Sequence, residues 1–204
     1  MKMKKILMIL FTICITLLLS GCKETENPIV TMEIENYGTI KMELYPEYAP
    51  NTVANFVNLI ETGFYDNNSF HRLMPGFVLQ GGDPDGNGSG GPGYTIRGEF
   101  SINGFPQNTL SHTTGIVSMA RTSSDYNSAG SQFFIVLSDN YTSSLDKQYA
   151  AFGKVIEGMD VIQNIADNEK IEDAESGKLK ENIRIIKATV DTKGEKYTVN
   201  KYQK

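Results

Sequence analysis

The stretch FHRLMPGFVLQGGD, residues 70–83, sets one arginine and one glutamine among Phe70, Leu73, Met74, Phe77, Val78 and Leu79. A strand that only fills a core would not carry Arg72 there, because burying an unpaired charge is costly. The pattern fits a guanidinium held by polar neighbours above an apolar floor, which makes a fixed hydrogen-bond donor. Two roles stay open at this level: such a donor, or a salt bridge at a sheet rim to an acid such as Glu99. Other chemistries lack their parts. Neither His71 nor His112 has a Cys, His, Asp or Glu at zinc-ligand spacing, so both read as hydrogen-bonded structural histidines. There is no nucleophile motif and no carboxylate pair with glycosidase context, so any chemistry proceeds without a covalent intermediate. GNGSGG, residues 86–91, matches G-x-G-x-x-G, yet no helix follows it and no βαβ unit surrounds it, which argues against a dinucleotide site. Residues 83–88 repeat the first half of a calcium loop, but Tyr94 stands where the bidentate glutamate is needed. A flexible turn is the better reading, and neither metal nor cofactor is expected.

The elements that must position these residues follow from hydrophobic periodicity. Residues 29–35 and 39–45 alternate around Asn36-Tyr37-Gly38 and predict a β-hairpin. Val53, Ala54, Phe56, Val57 and Ile60 have helical spacing over 50–62, with Gly63 as the stop. Short strands are expected over 69–73, 77–81, 95–100, 116–119, 133–137 and 151–155, a second helix over 159–167, and a long closing strand over 182–190. In the strand over 69–73, Arg72 would share the side of Phe70 and oppose His71, with a change of parity at Pro75-Gly76. About eight strands with two helices exclude a doubly wound α/β fold. A closed antiparallel barrel with helices over its ends suits the count, since closure removes exposed edges. The chain of 204 residues, 40% hydrophobic and 21% charged, holds one such domain over 29–191. Residues 192–204 read as a polar, frayed tail.

FHRLMPGFVLQGGD is followed in order by GNGSGGPGY (86–94), GEF (98–100), SHTTGIVSMAR (111–121), GSQFFI (130–135) and FGKVIEGMDVI (152–162). Together, from about Ile29 to Val190, these motifs resemble the cyclophilins, which are peptidyl-prolyl cis–trans isomerases. The resemblance implies a mainly β fold, an eight-stranded antiparallel barrel capped by two helices. It implies a catalytic set of Arg72, Phe77 and Gln80, with Arg72 as donor to the proline nitrogen. Phe77, Val78, Phe134 and Leu145 would wall the proline pocket. Gln80 and Gln132 would bond the substrate backbone or position Arg72, while Ala120 and Arg121 would contact the residue before proline, mostly through main chain. Three positions depart from the family pattern. Arg121 replaces a common asparagine, Ser144 a common tryptophan, and Tyr149 a common histidine whose wall it could still line. Ser144 argues against tight cyclosporin binding, not against the isomerase chemistry.

The first residues point elsewhere. Lys2, Lys4 and Lys5 precede an apolar run over 6–19, shorter than the ~20 residues of a membrane span and suited to a secretory leader. The run ends in Leu19-Ser20-Gly21-Cys22, which resembles the lipobox of bacterial lipoproteins; an ordinary leader or an uncleaved anchor is the plainer alternative. The lipoprotein reading expects removal of 1–21, lipid attachment at Cys22, a tether over 22–28, and a place on the extracytoplasmic face of a bacterial envelope membrane. Losing three lysines takes the net charge from −5 to −8. That balance argues against nucleic acid and against an anionic lipid face as partner. The expected partners are proline-containing, exported polypeptides, met by a monomer. The rival roles are a low-activity prolyl-peptide binding module or holdase on the same barrel, and a solute-capturing lipoprotein, which would need a longer, two-lobed chain.

Overall fold

The computed structural model describes residues 26–202. Cys22, the leader expected over 1–21 and the start of the expected tether lie outside the described residues. Ile29–Ile34 (β1) and Gly38–Leu44 (β2) form the predicted hairpin, pairing Val30 with Met42 and Met32 with Ile40. Those four side chains, with Ile34 and Leu44, are buried in the barrel interior. Seven strands follow: Ser69–Met74 (β3), Val78–Gly81 (β4), Ile116–Met119 (β5), Phe133–Val136 (β6), Ala151–Glu157 (β7), Ile171–Asp173 (β8) and Lys178–Asp191 (β9). All pairings are antiparallel, and the order β1-β2-β7-β5-β6-β4-β3-β9 returns to β1 through the β1–β9 ladder. Eight strands therefore close a barrel. The ninth, β8, is a short arm on β9 outside the ring.

Helix α1, Pro50–Glu61, sends Phe56 into the interior against Phe133 and Phe152, at centroid distances of 5.3 and 4.9 Å. Its N-terminus has no cap from Ala49. Instead Glu99 reaches across, its carboxylate accepting from Asn51 N at 3.1 Å, Thr52 N at 2.7 Å and Thr52 Oγ1 at 2.8 Å. A carboxylate there satisfies orphan amides and meets the positive end of the helix dipole. Glu99 is thus spent on a helix cap, and the rim salt bridge to Arg72 is excluded. A single helical turn, Thr142–Leu145 (α2), interrupts the loop over 138–149, and Met159–Asn168 (α3) adds Ile162 and Ile165 to the same core.

Three expectations need correction. Residues 95–100 form no strand; Thr95 and Ile96 make one isolated bridge each, to Tyr202 and Ala129, and the segment bends to deliver Glu99 to α1. The closing strand starts at Lys178, because the turn after β8 folds back onto it. The tail is docked, not frayed. Tyr197 and Val199 pack on the core, Asn200 exchanges hydrogen bonds with the side chain of Asn51 at 2.7 and 3.0 Å, and Tyr202 N donates to Thr95 O at 2.8 Å.

Strand alternation divides the apolar residues of β4, β5 and β6 between two layers. Leu79, Val117, Phe133 and Ile135 point into the barrel, whereas Val78, Ile116, Phe134 and Val136 form a second buried cluster with Leu145 and Ala151 on the outer face. That outer cluster is the floor of the site.

Candidate active site

Arg72 reaches this outer face because β3 does not alternate strictly. The ladder shifts register between Phe70 and Arg72 against both β4 and β9, so a bulge falls at His71. Phe70 and Leu73 both enter the core, and Arg72 turns outward, half-buried. The change of parity expected at Pro75-Gly76 therefore occurs before Arg72. Without it Arg72 would follow Phe70 into the barrel.

Across the sheet Arg72 pairs with Gln80, Gln80 with Phe134, and Phe134 with Ser118. One row of register partners thus carries a cation, an amide and an aromatic ring on the same face. Arg72 Nη1 donates to Gln80 Oε1 at 3.2 Å and Arg72 Nε to the carbonyl of Ser176 at 2.7 Å. Gln80 Nε2 donates to Gln132 Oε1 at 3.0 Å, and Gln132 Nε2 to the carbonyls of Gly88 and Gly90 at 3.0 and 2.9 Å. The amide polarities all run one way, so the relay fixes which oxygen faces the guanidinium. Arg72 Nη2 has no partner among the described residues. Burial draws the Arg72 pKa below its ordinary value, with Tyr149 opposing, yet a group starting above ~12 stays charged at neutral pH.

Ser176 was not foreseen. It acts through its main-chain oxygen, which leaves no residue-type signal; the turn signal at Asp173-Ala174-Glu175-Ser176-Gly177 was available. There Ser176 Oγ donates to Asp173 Oδ2 at 2.7 Å, and Gly177 O accepts from Leu73 N at 2.8 Å, which ties the turn to β3.

The expected pocket walls come together beside the relay. Val78, Phe134 and Leu145 are buried in the outer cluster, with Phe77, Ala120 and Tyr149 packed against it. Tyr149 meets Phe134 edge to face at 5.7 Å. Beneath Phe134 lies the ring of His112, stacked at 6.2 Å and 20°. His112 Nδ1 is 2.9 Å from Asp146 Oδ1, its Nε2 3.0 Å from Ser118 Oγ, and its backbone N donates to the same carboxylate oxygen at 2.8 Å. Burial lowers its pKa, with Asp146 opposing. His112 is the structural histidine expected, and it pins the loop that carries Leu145. His71 differs from expectation. It is buried, and among the described residues neither ring nitrogen has a partner of good hydrogen-bond geometry. Burial lowers its pKa too, offset by Asp83 and the Ser69 main chain and reinforced by Arg72.

The chain expected as a flexible turn after Gln80 is wrapped around Asp83. Its Oδ1 accepts from Asp85 N at 2.9 Å, and its Oδ2 accepts from Asn87 N at 3.0 Å and from Gly88 N. Burial alone would raise the Asp83 pKa, but these amides and that of Gly90 hold it below the ordinary carboxylate value. Glycine is required at position 90, where a Cβ would stand 2.0 Å from Asp83 Oδ1. The wrapped loop walls a groove of about 950 Å³ that adjoins the apolar cluster at Gln80, Gln132 and Ala120, with Gly88, Tyr94 and Thr122 further along it. Arg121 borders this groove, but its guanidinium is engaged elsewhere. It lies 4.5 Å from the ring of Tyr149, 4.7 Å from Tyr126 and 5.4 Å from Phe100, and donates from Nε and Nη2 to the carbonyl of Gln148 at 3.2 and 3.1 Å. The side chain clamps the loop bearing Tyr149 to the end of β5, leaving its main chain to the groove.

Comparison with known proteins agrees with this geometry. Residues 29–190 match the family model described as cyclophilin type peptidyl-prolyl cis-trans isomerase/CLD. Peptidyl-prolyl cis-trans isomerase B of Bacillus subtilis is 45% identical over 136 residues, covering 67% of this chain and 89% of the relative. A peptidyl-prolyl cis-trans isomerase of Helicobacter pylori is 41% identical over 139 residues, covering 67% and 80%. The crystal structure of a Cryptosporidium parvum cyclophilin in the presence of the dipeptide Ala-Pro superposes with a TM-score of 0.69 at 35% identity, covering 80% of this chain and 98% of that one. With the barrel, the outer-face apolar cluster and the family match in agreement, this chain belongs to the cyclophilins and is a peptidyl-prolyl cis–trans isomerase.

Proposed function

We propose that this isomerase accelerates Xaa-Pro isomerisation in exported polypeptides at a membrane surface, with Arg72 as the group that stabilises the twisted amide. Rotation about a prolyl bond faces a barrier of ~20 kcal/mol, set by amide resonance. At the twisted transition state resonance is lost, the proline nitrogen pyramidalises, and its lone pair can accept a hydrogen bond. A fixed donor aimed at that nitrogen binds the transition state more strongly than either planar isomer, which is what lowers the barrier. The observation that carries this reading is the row Arg72–Gln80–Phe134: a cation whose direction is set by Ser176 O and Gln80 Oε1, beside a buried apolar cluster. Phe77, Val78, Phe134 and Leu145 seat the proline ring by burying it. Gln132 bonds the substrate backbone or steadies Gln80, and the main chain of Ala120 and Arg121 meets the residue before proline. Tyr149 closes the wall beside Phe134. Turnover needs no proton transfer and no covalent bond, in keeping with His112 being taken up by Asp146 and Ser118.

The envelope location rests on the leader and on Leu19-Ser20-Gly21-Cys22. Two acyl chains or more on one cysteine hold a protein stably on a bilayer. Cys22→Ser should abolish incorporation of labelled palmitate and leave the protein in a soluble or uncleaved form; unchanged labelling contradicts the anchor. An isomerase assay on a proline peptide, wild type beside Arg72→Ala, tests the mechanism.

A further inference from the structure

Among the described residues Tyr141 is one of few large apolar-faced side chains left open to solvent, with 44% of it exposed. It is also held firmly. Its ring centroid lies 4.5 Å from that of Phe77, at 51°. Asp139 Oδ1, two residues before it, accepts from Thr114 N and Thr114 Oγ1, both at 2.6 Å. Thr142 Oγ1, one residue after it, donates to His112 O at 3.0 Å, and Ser144 Oγ donates to the carbonyl of Tyr141 itself at 2.8 Å. A tyrosine fixed in this way presents rigid, amphipathic contact area at a low entropic cost of binding.

Its place along β4 decides what it would contact. The groove beside the apolar cluster opens at Gln80, toward the end of β4, and runs on past Gln132 and Ala120. Phe77 and Tyr141 lie at the other end, where β4 begins. A polypeptide with its proline on Phe134 and Leu145 and its preceding residues in the groove leaves the site over Phe77 and Tyr141.

We propose that Tyr141 is a specificity-determining residue, whose exposed ring beside Phe77 receives the side chain that follows proline and favours a large apolar or aromatic one. The inference rests on the reading that the outer-face cluster seats the proline ring. Stacking on a fixed ring is worth about a fivefold gain in kcat/KM for an aromatic residue at that position and nothing for glycine.

Two-dimensional NMR exchange on Ala-Ala-Pro-Phe and Ala-Ala-Pro-Gly tests it, since the method needs no protease to read the isomer. Wild type should turn over the phenylalanine peptide faster. Tyr141→Ala should lower kcat/KM for that peptide about fivefold and leave the glycine peptide unchanged, with circular dichroism showing that it is folded, while Tyr141→Phe retains the preference. Equal losses on both peptides, or no change on either, overturn the proposal while a large loss in Arg72→Ala leaves the site itself standing. Full activity in Arg72→Ala overturns the site and the proposal together.

Discussion

Arg72 and Gln80 are register partners across β3 and β4 and are joined by a hydrogen bond of 3.2 Å from Nη1 to Oε1. The pairing exists only because the bulge at His71 turns Arg72 outward. Gln80 is oriented in turn by Gln132, and Gln132 by two carbonyls of the glycine-rich loop. The direction of the Arg72 guanidinium, and not merely its charge, is therefore set by the fold.

Removing the relay should cost activity without removing the cation. A hydrogen bond to a charged group is worth about 1.5–3 kcal/mol, so Gln80→Ala should lower kcat/KM roughly 10- to 100-fold. A protease-coupled assay at low substrate measures this. Wild-type kcat/KM in Gln80→Ala would show that Arg72 needs no aiming.

Arg121 should matter to stability through its side chain. Three aromatic rings surround its guanidinium, and two of its nitrogens bond Gln148 O. Arg121→Ala should lose about 2–4 kcal/mol of stability. Arg121→Lys should recover part of it, because the charge stays over the rings while the fork is lost. Urea unfolding of the three proteins decides the matter; equal midpoints for wild type and Arg121→Ala contradict the clamp.

The docked tail predicts a second stability effect. Lys201 Nζ stands 4.1 Å from the ring of Tyr94, whose hydroxyl donates to Asn55 Oδ1 at 2.8 Å, so the tail backs one wall of the groove. A chain ending at Asp191 should melt about 5 °C lower or more, since 1 kcal/mol shifts a domain of this size by about 2–4 °C. An unchanged melting temperature would mean that the tail contributes no net stabilisation.

Acid should weaken the fold in two stages. His71 and His112 both have folded pKa values lowered by burial, so below ~6.5 the unfolded chain binds more protons than the folded one. Their contribution is complete above that pH and falls as the pH drops toward the folded values. The lowered carboxyls of Asp83 and Asp146 contribute above ~4 and are lost below it. Unfolding free energy should be smaller at about pH 5 than at about pH 7.5, and His71→Leu should reduce that difference. A pH dependence identical in the variant would remove His71 as a source.

Much of the barrel was legible because the first hairpin alternates apolar and polar residues and the later strands stand as short runs between glycine-rich turns. Strand β6, Phe133–Val136, is apolar throughout, so its division between two layers emerges only from the pairing. The candidate site residues were legible only through the resemblance carried by the linked motifs; the fold gathers Phe77 and Phe134 into one cluster and joins Gln80 to Gln132 beside it. The bulge was not, because Phe70 and Leu73 are both apolar and two registers fit equally well until pairing with β4 and β9 chooses one. Ser176 acts through a carbonyl that any residue possesses. Glu99 caps a helix some fifty residues earlier, a partnership that only the folded chain creates. In the tail, Tyr197 and Val199 do alternate, and the polar residues around them hid that signal.

The most direct test of the account is the isomerase rate of Arg72→Ala beside wild type, with circular dichroism to show that both are folded. A single donor to a developing lone pair or charge is worth about 10²–10³ in rate, so the variant should lose that much kcat/KM on an Ala-Xaa-Pro-Phe peptide while keeping its fold. A folded Arg72→Ala that isomerises the peptide as fast as wild type would contradict it.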